Sequence, residues 1–435
     1  MSGHKLPVIP KPKEIVPILQ ESVAQFHKLQ DHLVKNITPE TACFDNVVRP
    51  WAQVSNEANT RNGMIWLLQY AAPDQETLDA VQEGSKIFFD AKAKWTARRD
   101  LYLLFQAVAE KNEPLDDESK HLVRIELQDF ISAGHGSLSP EELETYTQNK
   151  QRLDELNKEY MNNLQNSDGI WLKEDDLDGV PDKNRQKWRR GDGDRQGEIF
   201  VPSTFGDVAA VLTYANDERV RRKVAISNQS RLPANVPLFR ETVLLRDTQA
   251  RLLGYENHAE FRIKARAIQS VDYVNKFLAS LQESLVPRGL LEMQRLKDAK
   301  TKDRKERDIY QPGDEDVLDP WDVKYYRNKV LQDAGVDDTA VSEYFSLENT
   351  IMVMLKLFEE FLGLRFSRIP SDGLVRVNLW HETVEVWETW DASSDRFIGF
   401  LYLDLLDRPK KYKGSQNVNI NCVSVSRVDL VWYDN

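Results

Sequence analysis

The chain has 435 residues, of which 41% are hydrophobic and 29% are charged, and its formal net charge is −12 at pH 7. This length allows one large domain or two to three ordinary domains with a substantial buried core. The acidic balance argues against a general nucleic-acid or anionic-membrane surface, and no apolar stretch reaches the ~18–20 residues that span a bilayer. Two cysteines, Cys43 and Cys422, are too few for a disulfide framework and lack metal-ligand spacing. The opening residues lack the apolar core of a secretory signal, so we expect a cytoplasmic protein.

The first 165 residues carry mostly helical periodicity. Ile15, Leu19 and Phe26 belong to one apolar stripe that repeats at three- and four-residue steps, and residues 76–110 behave similarly. Ser139 opens the sequence Ser-Pro-Glu-Glu, which predicts a helix start because it offers an N-cap serine, a first-position proline and a glutamate three residues after the cap. No repeat of fixed period is visible, so residues 1–165 are predicted to form an N-terminal helical domain of the bundle type.

Residues 166–199 are crowded with Asp, Gly, Lys and Arg, which predicts a connecting segment between two domains. Helical pattern returns afterwards, and residues 200–421 are predicted to form the second domain. The predicted helices in it cover residues 205–230, 236–266, Asp272–Asp303, Pro320–Val330 and Ser346–Leu362. Gly363 is expected to end the last of these helices as a C-terminal cap residue.

Beyond Gly363 the hydrophobic period changes from about 3.6 residues to about 2. Residues 375–379 alternate between apolar and polar, the stretch Val384–Trp390 does the same, and Phe397–Leu406 is a third apolar run. Three short strands in succession predict a small antiparallel meander packed against helices. The expected fold is thus mainly α, with this β-meander near the C-terminus.

His381 and Glu382 open the sequence H-E-T-V-E, which is close to the zinc motif H-E-x-x-H. That motif needs a second histidine four residues on, because residues four apart lie on one helix face and can direct two imidazoles at one metal. Here the fifth residue is Glu385, and in a strand positions 381 and 385 would lie about 13 Å apart. We expect His381 to be a turn or strand-edge residue and not a metal ligand.

The other histidines are not spaced as a zinc helix requires. None lies four residues from another; they are His4, His27, His32, His121, His135 and His258. The sequence contains no G-x-S-x-G elbow and no phosphate loop, and its acid-rich loops at 192–198 and 314–319 lack calcium-ligand spacing. We assign no residue to a catalytic, cofactor-binding or metal role. The aromatic residues between 380 and 402 are expected to pack a core between meander and helix, with ligand stacking as the alternative.

Four blocks of the sequence resemble, in the same order, segments of the thimet oligopeptidase and saccharolysin family of zinc peptidases. The first is similar to the family's R-x-x-x-A-x-L-L-G-(aromatic) segment, the second to its W-D-x-x-Y-Y helix, the third to its W-H-x-x-V block and the fourth to its G-x-x-Y-x-D-L-x-x-R-x-x-K-Y stretch. The residues that carry these likenesses are Arg246, Ala250, Leu252, Leu253, Gly254 and Tyr255, then Trp321, Asp322, Tyr325 and Tyr326, then Trp380, His381 and Val384, and finally Gly399, Tyr402, Asp404, Leu405, Arg408, Lys411 and Tyr412. The resemblance covers residues 10–421.

This resemblance implies a mainly helical, two-lobed peptidase of the zincin type with a deep channel, which cleaves short peptides by means of a zinc-bound water. Residues 1–165 would form one channel wall, residues 200–421 the first part of the catalytic domain, and the 374–406 meander would lie along the cleft. An exposed strand there could pair with the backbone of a peptide substrate. We expect short peptides as partners and a monomeric state.

The family's zinc helix follows shortly after the meander, and none of the family's catalytic or zinc-binding residues has a counterpart here. We therefore expect a chain whose catalytic domain is incomplete, with zinc bound by full-length family members and not by this chain alone. Residues 422–435 show no resemblance. An intron translated in frame and a divergent natural tail are the two hypotheses for them.

Two functions without catalysis remain as alternatives. The first is a peptide-binding protein that keeps the channel without cutting, and it predicts peptide affinity in the absence of zinc. The second is a helical scaffold for protein partners, which would need a defined docking surface; no heptad seam is visible in the sequence.

Overall fold

The structure, a computed structural model, describes residues 6–164, 169–264, 266–268, 270–336, 338–370, 379–412 and 414–420. Within these ranges the protein is mainly α-helical and has two small antiparallel sheets, which confirms the predicted mainly α fold with a β-meander. No helix in the described ranges is at once long enough and apolar enough to cross a membrane.

The helices α1 to α15 span Pro12–Asn36, Arg49–Ala71, Gln75–Thr96, Arg99–Lys111, Asp117–Ile131, Pro140–Leu164, Asp182–Arg185, Phe205–Tyr214, Glu218–Gln229, Asn235–Leu252, His258–Ile263, Val271–Glu306, Val323–Asp333, Asp338–Glu343 and Leu347–Leu362. The strands β1 to β6 span Gly169–Lys173, Arg189–Arg190, Glu198–Pro202, Leu364–Arg368, Glu385–Asp391 and Arg396–Leu403. A short π-helical turn, Phe44–Val48, precedes α2.

The chain divides into two compact units. The first combines Met1–Ser137 with Leu347–Asn435, and the second is Leu138–Ser346. In sequence, the second unit is therefore inserted between the two stretches of the first. The predicted domain limits at residues 165, 199 and 421 stay predictions.

In the first unit, the apolar stripe of α1 is buried, as its periodicity predicts. Ile15, Leu19 and Phe26 are all buried, and Phe26 stacks on Trp95 of α3 with ring centroids 4.5 Å apart. The helical stretch predicted over 76–110 is interrupted at residues 97–98, between α3 and α4. Asp74 begins α3 as its N-cap, because its side chain accepts a hydrogen bond from the Thr77 amide at 2.8 Å.

One hydrophobic core of the first unit is formed by residues from both of its sequence stretches. Leu19 of α1 and Ile65 and Leu68 of α2 are fully buried in it, together with Trp380 and Val384 from the segment before β5. The N-terminal helices are thus completed by residues more than 300 positions later, and this core positions the segment that carries the third and fourth family-like blocks.

The C-terminal sheet is an antiparallel meander of order β4-β5-β6. Trp387 in β5 lies opposite Arg368 of β4 and Leu401 of β6, and the buried Ile351 and Leu355 of α15 pack against the same tryptophan. The meander and its helix confirm the prediction. The sequence pattern did not predict β4, which directly follows the Gly363 helix end. The strand predicted at residues 375–379 lies outside the described residues except for Leu379, which is in no strand.

The second unit contains a further sheet, of order β1-β3-β2, which the sequence pattern did not predict. The inward residues of this sheet, Leu172, Ile199 and Val201, are buried against α8 and α9. The predicted capping box at Ser139 is confirmed, since its amide donates to Oε2 of Glu142 at 2.8 Å and its Oγ accepts from the Glu142 amide at 3.3 Å.

Candidate functional site

The third and fourth family-like blocks meet at one carboxylate, Asp404. Its Oδ2 accepts hydrogen bonds of 2.8 Å from the indole Nε1 of Trp380 and from Nη2 of Arg408. Its Oδ1 accepts from Nη1 of Arg408 at 2.6 Å and from Nζ of Lys411 at 3.0 Å. Four polar residues of these two blocks therefore form one cluster, which we call the Asp404 cluster (Trp380, Asp404, Arg408 and Lys411).

The electrostatics of this cluster favour an ionised Asp404. The carboxylate is only 12% exposed, and burial alone would raise its pKa. The hydrogen bonds from Arg408, Trp380 and Lys411 outweigh burial and lower the pKa of Asp404 to about 2. An ion pair that is bidentate and largely buried has a defined geometry, so the cluster fixes the chain between β6 and residue 412.

The Asp404 cluster is anchored to the C-terminal end of α2. Nη2 of Arg408 donates to the carbonyl oxygen of Ala71 at 3.0 Å, and the amide of Tyr412 donates to the carbonyl oxygen of Tyr70 at 2.8 Å. These two acceptors are among the last carbonyls of α2, which have no partner inside the helix. The segment after β6 therefore caps a helix of the N-terminal region.

Further along, the same segment lies directly against α2 at Gly63. A Cβ atom at this position would be 1.6 Å from the carbonyl oxygen of Ile420, so only glycine permits this approach. Ile420 also packs against the core that contains Ile65 and Trp380. The segment after β6 is thus held along α2 from Ala71 back to Gly63.

His381 lies in the turn that leads into β5, as expected for a turn or strand-edge residue. Its Nδ1 lies 2.8 Å from Oγ1 of Thr383 and 3.3 Å from the Thr383 amide, and its carbonyl oxygen accepts from the Val384 amide at 3.2 Å. Glu385, four residues on, is in β5 and pairs with Arg368 of β4 at 2.8 Å. The histidine and this glutamate therefore make separate local contacts.

The meander offers edges to which a peptide could add. Among the described residues β5 is paired on both sides, whereas β4 and β6 are each paired on one side only. An extended peptide can add to a sheet edge through main-chain hydrogen bonds. β6 carries Gly399 and Tyr402 of the fourth block and is followed at once by the Asp404 cluster.

The second family-like block lies in the second unit and surrounds another buried carboxylate, Asp322, which is fully buried. Its Oδ1 accepts from Nη2 of Arg221 at 2.8 Å and its Oδ2 accepts from Nζ of Lys300 at 2.7 Å. The Arg221 guanidinium is 4.0 Å from the ring centroid of Tyr325 and donates to the carbonyl oxygen of Ala215 at 2.9 Å. Arg221, Lys300 and Asp322 thus tie together α9, α12 and the start of α13.

A zinc ion does not fit at this buried carboxylate. Asp322 lies with Glu218 and Asp319 in a group whose oxygens are within 4.8 Å of one another, the one such acidic or histidine group among the described residues. Zinc sites in proteins are built mainly from histidine and cysteine with an occasional carboxylate, and this group has no nitrogen or sulfur ligand. Both oxygens of Asp322 already bind the cations of Arg221 and Lys300, so the group is a structural ion network.

Two other histidines, His135 and His258, lie in environments that lower their pKa. His135 is buried, stacks on Tyr102 with ring centroids 5.1 Å apart, and has its Nε2 2.9 Å from the carbonyl oxygen of Thr96. Burial lowers the pKa of His135, and it also lowers the pKa of His258 near Arg246. Among the described residues, neither imidazole belongs to a group of three or more histidine, cysteine or carboxylate side chains that could hold a metal ion.

The first family-like block ends α10. Ala250 and Leu253 are buried with Tyr146 of α6 and Phe261 of α11. Gly254 has φ +85°, a left-handed conformation that suits glycine after a helix end. This block therefore forms a helix terminus and a small core.

Comparison with known proteins agrees with the four blocks. A model of Peptidase family M3 matches residues 211–431, just over half of the chain and the whole stretch that holds these blocks. The chain belongs to Peptidase family M3, which confirms the family resemblance.

The curated relatives of this chain include proteins named saccharolysin and oligopeptidase. Saccharolysin of Saccharomyces cerevisiae is 28% identical, over 94% of this chain and 58% of saccharolysin. Oligopeptidase PhomG' of Diaporthe leptostromiformis is 26% identical, over 89% of this chain and 32% of that protein. Oligopeptidase A of Escherichia coli is 23% identical, over 95% of this chain and 61% of that protein. The chain spans between about a third and three fifths of the length of these relatives.

The sequence pattern did not predict the contacts of several residues in and around the two carboxylate clusters. Arg221 lies in the basic run R-V-R-R-K, which is typical of a solvated face, yet this side chain is 1% exposed. Gly63 and Ala71 occupy an ordinary helical stretch, and their role depends on contacts with Ile420 and Arg408. Knowledge of which positions vary together would have been needed to find these pairs.

Proposed function

We propose that this chain supplies the peptide-binding part of an oligopeptidase of family M3. The observation that supports the proposal is the Asp404 cluster beside the β4-β5-β6 meander, in which Trp380 of the third family-like block donates a hydrogen bond to Asp404 of the fourth. Asp404 also accepts three hydrogen bonds from Arg408 and Lys411 of its own block. A cluster of this kind fixes β6, and a rigid edge strand can hold an extended peptide through its backbone. Short peptides are the ligands we propose, paired with β6.

Hydrolysis in such an oligopeptidase would use a zinc-activated water, and we propose that the 435 residues alone do not carry it out. The described acidic and histidine residues do not fit a zinc ion, and the sequence has no H-E-x-x-H. No residue of this chain is proposed as a catalytic group or a zinc ligand. We further propose a monomeric cytoplasmic protein without affinity for nucleic acid.

Peptide binding and peptide hydrolysis can be tested separately on the purified chain. A fluorescent peptide of about ten residues should bind in the absence of zinc, and a peptide with alternate N-methylated amides should bind far more weakly because it cannot pair with a strand. Hydrogen exchange should slow in residues 396–403 on binding and not in residues 364–368. Equal binding of both peptides would contradict the edge-strand mode.

The same chain should not cleave a quenched fluorescent peptide, with or without added zinc. Turnover that is abolished by a chelator would contradict the proposed inactivity and would require zinc ligands within these 435 residues. Peptide affinity without turnover would match the alternative of a non-catalytic peptide-binding protein as well. Only the addition of further peptidase polypeptide distinguishes the two.

A further inference from the structure

Helix α12 exposes large apolar side chains along its first two thirds. Leu285 is 61% exposed and Leu290 and Leu291 are each 66% exposed, and six further exposed side chains of the helix are Tyr273, Phe277, Leu278, Leu281, Val286 and Met293. Lys300, near the other end, is the only buried residue of α12 in the part of the chain that the structure describes. The helix thus makes its tertiary contacts mainly through its C-terminal third.

The spacing of these side chains shows that more than one side of the helix is apolar. Phe277, Leu281 and Leu285 are four residues apart and line one side, whereas Leu290 lies on a different side. Helices that are apolar on several sides are normally buried, since most helical stability in proteins comes from packing. Soluble monomers rarely expose large contiguous apolar patches.

The charged residues of the same part of α12 indicate what kind of partner could bind there. Residues 271–295 carry the acidic Asp272, Glu283 and Glu292 and the basic Lys276, Arg288 and Arg295, so their charges balance. Asp272 and Lys276 already pair with each other at 2.6 Å. A partner would therefore be selected by apolar contacts, and its binding should depend little on salt.

We propose that residues 271–295 of α12 are the docking surface for the part of a family M3 peptidase that lies outside the stretch shared with this chain. The alignment with saccharolysin takes in 94% of this chain and only 58% of saccharolysin, so a large further polypeptide exists in such relatives. Apolar helical segments of that polypeptide, joined to this chain or supplied separately, cover α12. The inference rests on the proposed function, because it identifies what the peptide-binding part must associate with.

The test mixes the purified 435-residue chain with the part of yeast saccharolysin outside the shared stretch. The expected result is a one-to-one complex by light scattering, with hydrogen exchange in residues 271–295 slowed about tenfold or more and little change between low and high salt. Exchange that is unchanged in α12, with or without a complex, would overturn the proposal. So would a free chain that already protects α12, either as a monomer or as a self-associated dimer.

A variant with Phe277→Ser and Leu285→Ser should abolish the complex. It should leave the melting temperature and near-UV circular dichroism of the free chain unchanged, because both side chains are exposed there. The matched control is Phe205→Ser, which removes an aromatic ring that is 88% exposed outside α12 and should leave the complex intact. Equal binding by the double variant and the control would contradict the proposed surface.

Peptide turnover by the mixture separates this inference from the proposed function. A complex that protects α12 and still does not cleave peptides with zinc present supports the docking surface and counts against the oligopeptidase function. Turnover without protection of α12 supports the function and overturns the docking surface.

Discussion

The guanidinium of Arg408 donates a hydrogen bond of 3.0 Å to the carbonyl oxygen of Ala71, across 337 positions of the sequence. The same guanidinium binds both carboxylate oxygens of Asp404. Asp404 therefore orients the side chain that joins the segment after β6 to α2.

The substitution Asp404→Asn should destabilise the chain by about 2–4 kcal/mol, because it leaves two largely buried cations without their anion. Urea unfolding would measure the loss, and hydrogen exchange should rise mainly in residues 379–412. Asp395→Asn is the matched control, since Asp395 pairs with Arg365 at the surface and should cost no more than about 0.5 kcal/mol. Equal losses for the two variants would show that the cluster has no special role.

The ionisation of Asp404 should also be visible in the acid dependence of the unfolding free energy. The pKa of Asp404 is lowered to about 2, below the value of about 4 expected in the unfolded chain. Its stabilising contribution is therefore present above about pH 4 and is lost as the pH falls toward 2. The unfolding free energy of Asp404→Asn should fall less steeply over this interval than that of the wild type.

The substitution Gly63→Ala should displace the end of the segment after β6. The new Cβ would be 1.6 Å from the carbonyl oxygen of Ile420, so the two backbones must separate, at a cost of about 1–3 kcal/mol. Gly289→Ala is the matched control, since nothing lies within 4 Å of its Cβ and alanine favours the helix interior by about 0.5–1 kcal/mol. The two substitutions should change thermal stability in opposite directions, and a gain for both would contradict the close approach at Gly63.

The substitution Asp322→Ala should be more damaging than any exposed change in the second unit. It leaves the buried cations of Arg221 and Lys300 without their common anion, which costs about 3–5 kcal/mol. Asp333→Ala removes an exposed pair with Lys302 and should cost less than about 0.5 kcal/mol. Chemical denaturation measures both, and added calcium or zinc should not stabilise the wild type if Asp322 is part of an ion network.

Glu126 should make the stability of the N-terminal helices depend on pH. Burial, helped by Asp129 and opposed by Lys92 and the Trp51 indole at 3.0 Å, raises the pKa of Glu126 to about 7. Because this pKa is raised, its contribution is fully present below about pH 4.5 and is lost as the pH rises through 7, a change of about 3 kcal/mol.

The substitution Glu126→Gln should remove that part of the pH dependence. Urea midpoints measured between pH 5 and pH 8 should decline for the wild type and stay flatter for the variant. Glu110→Gln, which alters an exposed carboxylate on α4, should keep the slope of the wild type. A variant slope identical to that of the wild type would show that Glu126 titrates normally.

Features set by neighbouring residues could be predicted from the sequence. The capping box at Ser139 and Glu142, the helix end at Gly363 and the long helix from Val271 all depend on residues a few positions apart, and the structure contains each of them. The β1-β3-β2 sheet was missed because its strands have five, five and two residues, too few for a period to emerge from charged surroundings. The position of β4 was missed because it begins at once after a helix.

Contacts between distant residues could not be predicted. The letters W, D, R and K of the family-like blocks could be recognised, but nothing in one sequence says that Trp380 and Arg408 share the carboxylate of Asp404. Similarly, Asp322 could be singled out in its block, whereas Arg221 is 101 positions away in a run that resembles solvated surface. Such pairs are determined by the folded chain as a whole.

The core shared by Ile65 and Trp380 affects how the protein is made. At about 5–20 residues per second, a ribosome needs roughly 15 to 60 s to synthesise the stretch between them. During that time the nascent N-terminal helices present Leu19, Ile65 and Leu68 without the tryptophan and valine that later cover them. We expect the growing chain to depend on chaperones for this interval, and its yield to fall when translation pauses before residue 380.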